Sequence, residues 1–135
     1  GFSAAHDRFG GRRFGQATVW RWNQGGLSFA HLGGLAAPLT REDKILLGRP
    51  DVLIIAVGGG AKVYGGREAA QIVKDLNPKS VIPVQYVKGT APKNCDQTGI
   101  QPFLDAMQGA EVREVGKTLF LSRNIANPMI INLMH

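Results

Sequence analysis

Hydrophobic positions are densest at Val52 to Val57, a run without a polar side chain that leads into Gly58-Gly59-Gly60. A strand with one wet face alternates apolar with polar residues. An unbroken run rich in β-branched types predicts instead a strand buried on both faces. Ser80 to Val84 predicts a second such strand. Between them Ala69, Ile72, Val73 and Leu76 recur at helical spacing, so Arg67 to Leu76 is an amphipathic helix that Asn77-Pro78 stops. A helical crossover makes the two strands parallel.

The chain before this unit has the period of two. Gln16 to Trp22 reads as a strand with Thr18, Trp20 and Trp22 on one face and Ala17, Val19 and Arg21 on the other. Asn23-Gln24-Gly25-Gly26 is a turn signal, and Leu27 to His31 returns to complete a hairpin. Thr40-Arg41-Glu42-Asp43 resembles a capping box that opens a short helix, ended by Gly48 and Pro50. Further on, Ile100, Phe103, Leu104 and Met107 place a helix over Gln97 to Gln108. Glu111 to Val115, Thr118 to Ser122 and Met129 to Leu133 read as closing strands.

The order is hairpin, then βαβα, then closing strands, which is an α/β domain with a mixed sheet and helices on one face. Its 135 residues suit a single domain, residues 1–135, able to bury roughly two-thirds of its unfolded surface. Two wholly apolar strands need cover on both sides, yet the two good helices can supply only one. The other face is expected to pack on something outside the chain.

Composition narrows the function only a little. With 44% hydrophobic and 19% charged residues the chain is globular, and no apolar run is long enough to span a membrane. The net charge of +6 suits an anionic partner. Only Arg8, Arg12 and Arg13 cluster, however, without the basic and aromatic interleaving of a nucleic-acid module. Cys95 is alone and cannot form an internal disulfide. The chain opens on Gly1, and Phe2 to Ala5 already reads as strand, so the natural N-terminus is expected upstream.

In a parallel sheet the chemistry lies beyond the carboxyl ends of the strands. Gly58-Gly59-Gly60 stands at one such end but lacks both the dinucleotide spacing and the Gly-Lys-Ser/Thr ending of a phosphate loop. It reads as a tight strand exit. Gln85-Tyr86 stands at the other end, with polar tips for a ligand or for nearby backbone groups. His6-Asp7 ends the first apolar piece beside a Gly-rich loop, a setting for a metal ligand or an acid/base pair. His31 follows Leu27 to Ala30 and reads as core. No G-x-S-x-G is present, and only Lys93 near Cys95 hints at an activated thiol.

Several stretches together resemble a known family. They are His31-Leu32-Gly33-Gly34, the run Pro50 to Gly60, Glu68-Ala69-Ala70, and Val81-Ile82-Pro83-Val84-Gln85-Tyr86. In order and spacing they look like the second half of a metallo-β-lactamase-fold hydrolase, nearest the ascorbate-6-phosphate lactonase-like branch. There the same stretches read approximately A-x-H, H-x-G-D, D-x-x-x-x-P-x-G-G, E-A-A and I-P-x-H-Y. The resemblance runs from about Ala4 to Ser122 and implies half of an αββα sandwich, with a zinc or manganese site along one edge.

It also implies that the family's H-x-H-x-D-H cluster lies upstream. Of the three ligand positions that fall within this chain, His6 matches. Gly34 stands for the bridging aspartate and Gln85 for the last histidine. Glycine offers no donor, and an amide is a poor zinc ligand beside imidazole or carboxylate. The expectation is a degenerate metal site, with His6 as ligand or base and Asp7, Gln85 and Tyr86 orienting a small, anionic substrate. The alternative is a non-catalytic binding or assembly module. The uncovered sheet face would take the N-terminal half of the same protein or a second copy of the chain.

Overall fold

The structure, a computed structural model, describes residues 2–5, 16–32, 35–60, 63–88, 98–117, 119 and 129–134. The strands are β1 (Phe2–Ala5), β2 (Gln16–Gln24), β3 (Leu27–His31), β4 (Val52–Ala56), β5 (Ser80–Val84), β6 (Glu111–Gly116) and β7 (Ile130–Met134). The helices are α1 (Arg41–Leu47), α2 (Gly66–Leu76) and α3 (Gln101–Ala106). The strands form one mixed sheet in the order β1-β2-β3-β4-β5-β7-β6.

The hairpin forms where the turn chemistry puts it. Gly25 and Gly26 both take positive φ, the demand of a two-residue turn that matches the sheet twist. β2 and β3 are antiparallel, and from β3 onward every neighbouring pair is parallel. α1 starts at the expected capping box: Thr40 Oγ1 accepts from the Asp43 amide at 3.1 Å, and the Asp43 carboxylate accepts from the Thr40 amide at 2.9 Å. α2 ends on Asn77 in the left-handed region, φ 49°, which satisfies the Val73 carbonyl before Pro78 forbids continuation.

Two expectations change. The helix expected over Gln97 to Gln108 begins only at Gln101, because Pro102 is accommodated in the first turn of a helix and not in its interior, while the Thr98 amide goes to the Gly58 carbonyl at 2.6 Å. Gln97 itself lies outside the described residues. The closing strands β6 and β7 run parallel, with β7 inserted between β5 and β6. The strand expected over Thr118 to Ser122 lies outside the described residues apart from Leu119, which is not in a strand.

One continuous core joins the helices to one side of the sheet. Leu53, Ile55, Val57, Val81, Ile131 and Leu133 meet Ala69, Val73, Leu76, Phe103 and Met107 there. Side chains alternate along a strand, so Trp20, His31, Ile54 and Ile82 lie on the opposite side. They are register neighbours across β2, β3, β4 and β5. That row is poorly covered: Trp20 is 57% exposed, and His31, Ile54 and Ile82 are half-buried. The face is less bare than expected, since Val52 and Ala56 are wholly buried on it.

Candidate functional site

The carboxyl ends of β4 and β5 are bound tightly to each other. Val57 donates to the Val84 carbonyl at 3.1 Å, and the Gly58 carbonyl accepts from the Thr98 amide and, at 3.3 Å, from its hydroxyl. Val87 donates to the Thr98 carbonyl at 2.9 Å, closing the loop from the other side. Gly59 and Gly60 take φ of 79° and 87°, conformations that L side chains rarely adopt, and the Gly59 amide reaches the Tyr64 carbonyl at 2.8 Å. The glycine run is a strand exit, as its sequence implied.

Gln85 stands on this edge. It is exposed and has φ of 51°, one of two non-glycine residues with positive φ among those described. A left-handed glutamine costs energy that surrounding structure must offset, and such residues concentrate at functional positions. Its carboxamide is the wrong donor for zinc, and no group of three His, Cys, Asp or Glu side chains comes together among the described residues. The part of the edge that is described does not fit the metal the resemblance implies. His6, Asp7, Gly34 and Cys95 lie outside the described residues.

Tyr86, the next residue, goes elsewhere. It is half-buried and packs against the helix-side core. Burial, and then the nearby Glu114 carboxylate, hold its phenol above the ordinary value. The Lys88 ammonium lies 5.8 Å from its ring centroid. A hollow of about 440 Å³ opens beside it. Gln85 and Tyr86 are adjacent in sequence, but one is exposed on the edge and the other lines this hollow.

His31 was expected in the core and is instead half-buried on the open side of the sheet, where burial lowers its pKa. With Thr18, Trp20 and Trp22 it lines a second hollow of about 510 Å³. Trp22 stacks on its register partner Phe29 at 5.2 Å between ring centroids and 8° between planes. The alternation along β2 places Thr18, Trp20 and Trp22 on one face, and the register with β3 and β4 makes it part of the sheet side expected to lack cover. No signal in the sequence marked Lys88 or Glu114.

Comparison with known proteins agrees with this architecture. No curated protein matches the chain. A solved structure from Thermotoga maritima, a candidate Zn-dependent hydrolase of the metallo-β-lactamase superfamily, superposes with a TM-score of 0.76 at 28% identity. The match covers 89% of this chain and 59% of that one, so the chain spans less than two-thirds of that protein's length. The sequence profile of the β-lactamase superfamily domain matches residues 1–85. The chain belongs to the β-lactamase superfamily.

Proposed function

We propose that the chain is part of a metallo-β-lactamase-fold, hydrolase-like protein of the ascorbate-6-phosphate lactonase-like branch whose metal site is degenerate. The observation that carries this reading is Gln85: exposed at the carboxyl end of β5 and held in the left-handed region, at the position where the family resemblance places a histidine. The left-handed backbone at a strand end supports a site there, and a carboxamide in place of imidazole supports its being degenerate. In this reading His6 serves as ligand or base, and Asp7 and Gln85 orient a small anionic substrate drawn by the net charge of +6, while Tyr86, turned to the neighbouring hollow, takes no part. No step is assigned to a metal.

A second reading, a binding or assembly module without catalysis, is favoured by the uncovered row from Trp20 to Ile82. The proposed occupant of that face is the N-terminal half of the same protein, with a second copy of the chain as the substitute. In the Thermotoga protein, 41% of the chain, the remainder of the matched 59%, has no counterpart here. Metal analysis of protein never exposed to a chelator separates the readings from an intact enzyme. Less than one equivalent of zinc or manganese per chain is expected; two tightly held ions would overturn the degenerate site. If phosphate-ester or lactone hydrolysis is found, His6→Ala should abolish it. Unchanged hydrolysis by that variant would exclude His6 as the essential residue, and hydrolysis of any kind would rule out the module reading.

A further inference from the structure

We propose that the hollow between α3 and the edge strand β6 binds a small zwitterion, with an ammonium and a carboxylate carried on a short apolar body. The proposal does not rest on the reading of Gln85. The hollow lies at the carboxyl-terminal side of three adjacent parallel strands, near where open α/β sheets place ligands. Tyr86, Val87 and Lys88 are beyond the end of β5, and Leu133 and Glu114 are within the last residues of β7 and β6. Glu114 and Leu133 are register partners and share a sheet face, and Leu133 belongs to the helix-side core. The hollow is therefore on the helix-covered side, separate from the open row of Trp20 and His31.

Its walls are mostly apolar. Leu133 is 8% exposed, and Ile100 packs against the core at the start of α3. Two opposite charges line it, yet Lys88 and Glu114 form no ion pair with each other. The Lys88 ammonium is held in place by the Met134 carbonyl at 3.0 Å and by the Tyr86 ring. An ammonium has three donors, so hydrogens remain for an anion. The Glu114 carboxylate has no hydrogen-bond or ion-pair partner among the described residues, and its charge is felt by the Tyr86 phenol. Gln101 gives its amide to Asp105 at 2.7 Å, which leaves its carbonyl oxygen as an acceptor.

A carboxylate without a partner among the described residues and a positioned ammonium, both lining an apolar hollow, are complementary to a molecule carrying both charges. Charge-assisted hydrogen bonds are the strong ones, and a few such groups in an apolar pocket fix a ligand's orientation. At about 440 Å³ the space suits an amino-acid-sized body.

Titration calorimetry on the full-length protein tests this with three probes of one shape: L-leucine, isoamylamine and 4-methylpentanoate. Leucine should bind saturably, and each singly charged analogue about tenfold or more weakly, the equivalent of one lost contact. Lys88→Met should erase leucine's advantage over the amine, and Glu114→Gln its advantage over the acid. Both side chains are exposed, so the variants should unfold at the wild-type temperature, which circular dichroism checks. Absence of saturable leucine binding at tens of millimolar overturns the proposal. So does binding that both variants leave unchanged, since the site would then lie elsewhere.

Discussion

The carbonyl oxygen of Gln85 lies so close over the α-carbon of Gly58 that a side chain cannot begin there: a Cβ built at Gly58 collides with that oxygen and comes within 2.9 Å of the Tyr86 α-carbon. The obstructing atoms are backbone, which cannot swing aside. The exit of β4 and the left-handed turn after β5 can cross only at a glycine.

Gly58→Ala should therefore cost about 2–3 kcal/mol, the effect of overpacking a rigid contact, read as a lower urea midpoint at constant slope. Gly65, at the N-cap of α2, is the control. Its φ is −72°, and an added Cβ meets only the flexible Glu68 carboxylate at 3.3 Å. Gly65→Ser should change stability by about 0.5 kcal/mol or less. Equal effects at the two positions would contradict the crossing.

Tyr64 is 1% exposed, and its hydroxyl donates to the Ala37 carbonyl at 2.6 Å. Tyr64→Phe keeps the ring and leaves that carbonyl unpaired, at a cost of about 1–2 kcal/mol. A variant as stable as wild type in urea unfolding would mean that water reaches the Ala37 carbonyl.

These two tyrosine and glycine contacts show where sequence reading runs out. The hairpin, the capping box at Thr40, the helix from α2 and the parallel β4–β5 pair were all legible, because each follows from local turn chemistry or from periodicity. α3 is shorter than the apolar spacing implies, because Pro102 belongs in the first turn of a helix and a count of apolar positions passes over it. His31 differs for a longer-range reason. A residue after an apolar run reads as core, but its side is set by register with Trp20 and Ile54. The hollow at Tyr86 is not legible in the sequence because only strand order brings Glu114 and Lys88 to one hollow.

Asp51 ties the amino ends of β3 and β5 together. Its carboxylate accepts from the Ser28 amide at 2.8 Å and hydroxyl at 3.2 Å, with the Lys79 ammonium at 3.7 Å. The Ser28 amide chiefly, then the Ser28 hydroxyl and Lys79, hold its pKa below the ordinary value against the opposing effect of burial. A depressed carboxylate contributes stability above its unfolded pKa of about 4, and loses it as pH falls through the lower folded value. The stability gap between wild type and Asp51→Asn should be about 1–2 kcal/mol at neutral pH and should narrow below about pH 4. Asp75, held low by Lys44, titrates alike in both proteins and cancels. A gap independent of pH would show that Asp51 acts only through shape.

Trp20 tests the open face. It is 57% exposed at the end of the row that continues through His31, Ile54 and Ile82, and only a covering surface would remove that apolar area from water. Burying a large apolar side chain is worth about 1.5–3 kcal/mol, so several together outweigh much of a typical net stability of about 5–15 kcal/mol. In the isolated chain Trp20 contributes little, and Trp20→Ser should change its unfolding free energy by less than about 1 kcal/mol. In an assembly the same change removes a central contact. Sedimentation velocity at micromolar concentration should show the 135-residue chain associated and the variant shifted toward monomer. A wild-type chain that sediments as a well-folded monomer would mean that water is the natural neighbour of this face, and the half-sandwich reading would fall with it.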